Sequence, residues 1–236
     1  MLARMIDTTR IQAITLDLDD TLWPVAPVIV HAENTLRDWL QQHLPRTAQL
    51  WQTPDLPREV RRAVVQRHPE RRHDLSFLRR EMIRDVMVQA GDAPEHADAA
   101  FEVFFAARQQ VTLFEDSLGT LRALAIRYPL LALSNGNANV RQIGLGDCFV
   151  ASIAASQVGC AKPDRRIFQA AADAAGLAPE QILHVGDDAQ LDAQAAREAG
   201  MQAVWLNREG KPWPLETAPP PQIHTLATLV QWLLPR

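Results

Sequence analysis

The sequence predicts an α/β fold: a parallel sheet flanked by helices, with a helical module inserted after the first strand. Three observations predict it. Short apolar runs alternate with Ala-rich helical patterns through the C-terminal half, the rhythm of repeated strand–helix units. Those runs end in Asp-, Asn- or Gly-containing loops. Between the first run and the rest, from about Pro24 to about Val111, the apolar spacing is helical and shows no strand alternation. The expected division is therefore 1–23 with 112–236 as one core, and 24–111 as the insertion.

The elements follow in order. "IQAITL" (Ile11 to Leu16) is a first strand. "AENTLRDWLQQHL" and "AAFEVFFAARQQ" carry the helical spacing of the insertion. "LLALSNG" (Leu130 to Gly136) is a strand running into a loop, and "ILHVGDD" (Ile182 to Asp188) repeats that design. "AVWLN" (Ala203 to Asn207) is a further strand. Asp164 to Ala175 is a helix stopped by Gly176, and Ala189 to Ala199 is a second stopped by Gly200. "TAPPPQ" (Thr217 to Gln222) excludes regular structure, because proline lacks the backbone donor. An amphipathic helix over Leu226 to Leu234 closes the chain.

Bulk properties narrow the function classes. A chain of 236 residues holds one domain with a sizeable core or two smaller lobes. Its net charge of -4 gives no electrostatic case for nucleic acid or an anionic membrane as partner. No apolar stretch approaches the roughly 20 residues of a membrane span. "MLARMIDTTR" lacks the apolar centre of a secretory signal. Cys148 and Cys160 make neither a disulfide framework nor a metal-ligand spacing, so a reducing, cytoplasmic setting is expected.

The chemistry-bearing residues gather at the predicted strand ends. In "TLDLDDTLW" (Thr15 to Trp23), strand alternation puts Asp17 and Asp19 on one side and Asp20 on the other. Ligands of open α/β sheets bind beyond the carboxyl ends of the strands. Paired carboxylates there suit a hard cation such as Mg²⁺, which also offsets their mutual repulsion. Ser134 and Asn135 end a second strand and offer hydroxyl and amide donors. Lys162, in "CAKPD", supplies a point positive charge before a helix. Asp187 and Asp188 end a third strand, with Asp192 in the next turn. Each piece is weak alone; together, oxygen donors, a lysine and carboxylates on one sheet edge are what phosphoryl chemistry requires.

These four stretches, "DLDDT", "SNG", Lys162 with Pro163, and "GDDAQLD", resemble the motifs of the haloacid dehalogenase (HAD) superfamily of phosphohydrolases. The resemblance implies a Rossmann-like, HAD-like core and identifies the insertion with a helical cap of the C1 type. "SNGNA", "HVGDDAQLD" and "AGMQAVWLN" are similar to bacterial phosphatases acting on flavin mononucleotide and flavin-pathway phosphates. What the resemblance implies for the residues is specific. Asp17 is the nucleophile that forms an aspartyl-phosphate. Asp19 is the general acid/base. Ser134, Asn135 and Lys162 bind the phosphoryl group. Asp17, the Asp19 backbone carbonyl and Asp187 hold Mg²⁺. Thr21 orients the loop, and Asp192 orients waters or Lys162, or binds metal directly; a direct contact from Asp188 is the other open assignment.

The substrate implied is a small phosphorylated metabolite, and monomer or homodimer stays open. An aspartate at position 19 favours phosphatase over the dehalogenase branch, which lacks it. The absence of lysine between Pro24 and Val111 excludes the phosphonatase branch, which uses a cap lysine. A non-enzymatic phospho-acceptor of receiver type and a phosphotransferase such as a mutase are the competing readings.

Other features are weighed more plainly. The arginine-rich stretch Arg58 to Arg84 is read as a solvated helical face, given Glu59, Glu70, Asp74 and Glu81 within it. His184, mid-strand, is read as a core histidine. Trp23 has two readings, lining the substrate entrance or packing.

Overall fold

The computed structural model describes residues 6–234. The expectation that the first ten residues lack a signal centre falls partly on residues 1–5, outside the described residues. The chain divides into two compact units, one formed by Met1–Pro24 with Thr112–Arg236 and the other by Val25–Val111.

The first unit is built on strands β1 (Ala13–Leu16), β2 (Leu130–Ser134), β3 (Ala151–Ala154), β4 (Ile182–Gly186), β5 (Gln202–Leu206) and β6 (Gln222–Ile223). Among the described residues they form one sheet in the order β3-β2-β1-β4-β5-β6, every neighbouring pair parallel. β1, β2 and β4 are buried along their whole length. That is the pattern of a parallel sheet covered on both faces, and it explains why these strands read as continuous apolar runs.

Helices α6 (Ser117–Ala125), α7 (Ala155–Val158), α8 (Arg165–Ala175), α9 (Ala195–Glu198) and α10 (Ala227–Leu233) complete this unit. On one face, Ile167, Phe168, Ala171 and Ala172 of α8 and Ala195, Ala196 and Ala199 from α9 onward pack with Ala13, Leu131 and Ile182. Small alanines let the helices approach the sheet. Asp164 caps α8 by accepting from the Arg166 N–H at 2.9 Å, and Gly176 ends it at φ 66°, the left-handed conformation glycine tolerates. On the other face α6 packs against β2 and α10 against α6.

Three local departures have physical causes. β3 is "ASIA", whose small and polar side chains hide its strand character in sequence. β6 begins at Gln222, directly after the proline run, so the irregular stretch expected over Thr217 to Gln222 ends one residue sooner. The helix expected over Ala189 to Ala199 starts as a π-helical turn, Ala189–Gln194, in which the Asp188 carbonyl accepts from both Asp192 and Ala193.

The second unit is helical: α1 (Val25–His43), α2 (Pro45–Trp51), α3 (Leu56–Arg67), α4 (Leu75–Ala90) and α5 (Ala97–Arg108). α1 buries Val28, Ala32, Leu36 and Leu40, one face at four-residue spacing. Ala32, Leu36 and Leu40 pack with Val64, Ile83, Val86, Met87, Phe101 and Phe104 in a core of their own. In the arginine-rich stretch, Arg67 pairs with Asp85, Arg71 with Asp74, and Arg80 with Asp98 and Glu102, as expected for a solvated, self-neutralised face. No helix among the described residues is long and apolar enough to cross a membrane.

Phe168, fully buried between α8 and the sheet, tests this packing. Phe168→Ala is expected to cost about 3–5 kcal/mol in urea unfolding. A cost under about 1 kcal/mol would show that α8 does not anchor the core.

Candidate active site

β1 lies at the centre of the sheet, with β2 on one side and β4 on the other, so the chain switches direction across it. Such a switch point opens a crevice at the carboxyl ends of the strands. Asp17 follows β1 there, and its N–H donates to the Val185 carbonyl of β4 at 2.9 Å. Ser134 ends β2, and Asp187 follows β4. Lys162 lies beyond the end of α7, in a cis Lys162–Pro163 pair.

The structure brings these groups together around one ammonium. Lys162 Nζ lies 2.5 Å from Asp17 Oδ1 and 2.6 Å from Asp192 Oδ1. All three residues are buried. Among the described residues, Asp17, Asp187 and Asp192 place carboxylate oxygens within 4.8 Å of one another. Three carboxylates against one ammonium leave two negative charges, the charge of one divalent cation.

Burial raises the Asp17 carboxyl well above its ordinary range; Lys162 opposes this, and Asp192 and Asp187 add to it. Asp187 is pushed up to about 7, first by burial and then by Asp192 and Asp20. Burial also works against the charge on Lys162, but its two carboxylate partners outweigh this and hold its pKa above the usual lysine value. Asp192 goes the other way. Burial opposes its charge too, yet Lys162 and the His184 hydrogen bond hold its carboxyl below the usual range.

The remaining expected residues fall into two groups. Ser134 is buried, and its Oγ accepts from the Gly136 N–H at 2.9 Å, which leaves the hydroxyl hydrogen to donate. Thr21 donates to Asp187 Oδ1 at 3.2 Å and so orients that carboxylate. Asn135 was expected beside a substrate phosphate. Its side chain instead ties down the lysine loop: Oδ1 accepts from the Lys162 N–H at 2.7 Å and Nδ2 donates to the Lys162 carbonyl at 3.0 Å. Asp188 caps the following turn, accepting from the Gln190 and Leu191 N–H groups at 2.8 and 2.7 Å.

The two acids after Asp17 lie beyond the strand on which the alternation argument rests. β1 ends at Leu16, so strand parity does not extend to Asp19. Asp19 sits in the following turn, which forms an isolated bridge to Trp23. Its Oδ1 accepts from Trp23 Nε1 at 2.8 Å. Trp23 is fully buried, which removes the reading that it lines an entrance. Asp20 has φ 58°, left-handed for a non-glycine residue. With Asp187 it lines a cavity of about 370 Å³ whose walls include Phe114, Trp205, Arg208 and Lys211.

Three contributors were missed in the sequence. Arg208, after β5, donates to the Thr21 carbonyl at 2.9 Å and to both oxygens of Asp116 at 3.0 and 3.1 Å, and stacks on Phe114. It braces the turn that carries Asp19. Gly186 ends β4 against Asp192, where a Cβ would strike the carboxylate. His184 reaches the same carboxylate from within the sheet, at 3.1 Å. For His184 a signal existed: Thr15 and His184 are polar residues in apolar strands, paired in register, and Thr15 shares the face of Asp17.

The family model for haloacid dehalogenase-like hydrolases matches residues 11–200. The chain is 36% identical over 228 residues to the 5-amino-6-(5-phospho-D-ribitylamino)uracil phosphatase YigB of Escherichia coli (strain K12), covering 93% of this chain and 95% of that one. It is 35% identical over 148 residues to a phosphoserine phosphatase of Thermus thermophilus, covering 60% and 59%. A crystal structure of a 2-haloacid dehalogenase from Pseudomonas syringae pv. Tomato DC3000 superposes with a TM-score of 0.90 at 37% identity, covering 94% of this chain and 98% of that one. This chain therefore belongs to the haloacid dehalogenase-like hydrolase family.

Proposed function

We propose that the protein is a Mg²⁺-dependent phosphatase acting on a small phosphomonoester through an aspartyl-phosphate. The observation that carries this reading is the Lys162 ammonium shared by Asp17 and Asp192, with Asp187 beside them. Asp17 Oδ attacks phosphorus as the ester P–O bond breaks, forming the acyl phosphate. Asp19, oriented by the Trp23 indole, gives its proton to the departing alkoxide and then takes one from the water that hydrolyses the acyl phosphate. Lys162 and the Ser134 hydroxyl stabilise charge on the phosphoryl oxygens.

The donor set fits magnesium: three hard carboxylate groups around one ammonium, with an Asp187 that burial and its acidic neighbours keep protonated up to about pH 7 without a cation. Asp17, Asp187 and the Asp19 backbone carbonyl would hold Mg²⁺, which when bound neutralises charge so that a carboxylate can approach a phosphate dianion.

For the substrate, the 36% identity to a phosphatase named for a ribitylaminouracil phosphate supports an ester of the flavin pathway or flavin mononucleotide. Sugar and nucleotide phosphates are the alternatives. The likeness to a 2-haloacid dehalogenase structure gives a second reading, halide displacement by Asp17. The presence of Asp19 and the acidic cluster favour phosphate.

The test is a panel of metabolite phosphates with Mg²⁺, alongside 2-chloropropionate. Phosphate is expected from at least one phosphomonoester, and no chloride. Chloride release without phosphate release would reverse the assignment.

Asp17→Asn is expected to abolish hydrolysis of a generic aryl phosphate with the fold retained, and Asp19→Asn to be comparably severe. Asp20→Asn should cost less than about fivefold, because asparagine accepts left-handed backbone and Asp20 has no assigned role in bond making. Steady-state rates on folded variants decide; equal damage from all three would remove the division of roles.

The raised Asp187 pKa sets a pH dependence. The group contributes stability that is fully present below its ordinary 3.8 and is lost as pH rises through about 7. Cation-free protein should therefore lose thermal stability over that window, and Mg²⁺ should restore more of it at pH 8 than at pH 5. Below pH about 7, the apparent Mg²⁺ affinity should fall about tenfold per unit as a proton competes for the carboxylate. A Mg²⁺-induced Tm shift independent of pH would place the cation elsewhere.

A further inference from the structure

We propose that His184 is a positioning residue for the lysine of the site: its imidazole orients Asp192, and through Asp192 it fixes Lys162 against Asp17. The inference rests on the phosphatase reading of the site. His184 lies mid-strand in β4 with no exposed surface, and its two ring nitrogens face two named partners. Nδ1 is 2.9 Å from Thr15 Oγ1 on neighbouring β1, and Nε2 is 3.1 Å from Asp192 Oδ1.

The partners decide the tautomer. A carboxylate only accepts, so Nε2 carries the proton and donates. Nδ1 is then an acceptor, and the Thr15 hydroxyl donates to it. Burial pulls the ring's pKa down and keeps it neutral, against the opposing pull of Asp192. Phe168 packs edge-on against the ring, with centroids 5.4 Å apart.

The chain of bonds continues into the chemistry. Asp192 Oδ1 receives both His184 Nε2 and Lys162 Nζ, while Oδ2 receives the Asp188 N–H at 3.1 Å. Both oxygens are thus held by donors from β4 and the turn after it, and the close approach of Gly186 closes the remaining side. Asp192 therefore has one position, and so does the ammonium bonded to it. Of the three N–H groups on Lys162, one goes to Asp192, one to Asp17, and one is left for a phosphoryl oxygen. Without His184, the Oδ1 side of Asp192 would lose a donor in a buried place, and the carboxylate could turn with the lysine following. A histidine needed only to fill the core would not have to meet the one carboxylate that bridges to the nucleophile's partner.

The experiment uses the full-length protein and two kinds of readout. Long-range ¹H–¹⁵N spectra of the His184 imidazole report its tautomer without reference to activity. The Nε2–H form is expected, shifting in Asp192→Asn; an Nδ1–H or doubly protonated ring overturns the inference. Kinetics with Mg²⁺ and an aryl phosphate follow on variants with native circular dichroism.

His184→Leu should lower kcat about 10–100-fold, the scale of lost outer-shell partners, with KM changed less than about twofold. Thr15→Val should lower kcat less, by about threefold, and His184→Gln, which keeps a donor, should recover part of the loss. On an Asp192→Asn background, adding His184→Leu should change kcat by less than about twofold, because the two act as one unit. Unchanged kcat in His184→Leu, or full additivity with Asp192→Asn, overturns the proposal. If His184→Leu does not fold, His184→Gln and Thr15→Val decide: losses confined to KM or to Tm overturn it. If the wild-type protein releases phosphate from no ester, the functional reading is what fails, and the tautomer alone decides the placement of His184.

Discussion

One ammonium organises the catalytic unit. Lys162 arrives from the loop after α7, yet it is bonded to the carboxylate that follows the central strand and to one in the first turn after β4. Burying those charges is tolerable only because they meet; any one of them alone at that depth would be neutralised or expelled. The network also explains the surrounding choices. Asn135 clips the lysine loop by its backbone, Asp188 caps the turn that presents Asp192, and a glycine ends β4 where a Cβ would collide. The local sequence around each motif is a set of fittings for that contact.

The excess of negative charge is the complementary feature. Burial and acidic neighbours push the Asp17 and Asp187 carboxyls up, a repulsion that a divalent cation would relieve. The turn carrying Asp19 is held separately, by Trp23 within the turn and by Arg208 from β5. Asp19 is thus held by elements distinct from those that hold Asp17.

Strands β1, β2, β4 and β5 and the helical insertion were legible in the sequence, because largely buried parallel strands read as uninterrupted apolar runs and α1 as a four-residue apolar stripe. Clustering of the motif residues was legible too, since strand ends in such sheets converge. β3 and β6 were hidden by small or few residues, and the π-helical turn by its Ala-rich, helix-like composition. Side-chain roles set by long-range geometry were also out of reach. Nothing near Asn135 shows that its amide will grip the backbone of Lys162, and nothing near Asp19 shows that the Trp23 indole will hold its carboxylate. His184 looked like a core histidine because burial and hydrogen bonding give the same sequence signature whichever partner is met.

The central position of β1 has a consequence for how the protein is made. Its two sheet neighbours begin at Leu130 and Ile182, so the strand leading to Asp17 leaves the ribosome long before either can pair with it. Closing so large a loop is slow, and an unpaired apolar strand is exposed to wrong partners meanwhile. The sheet therefore cannot close around β1 until the residues of β4 have been made.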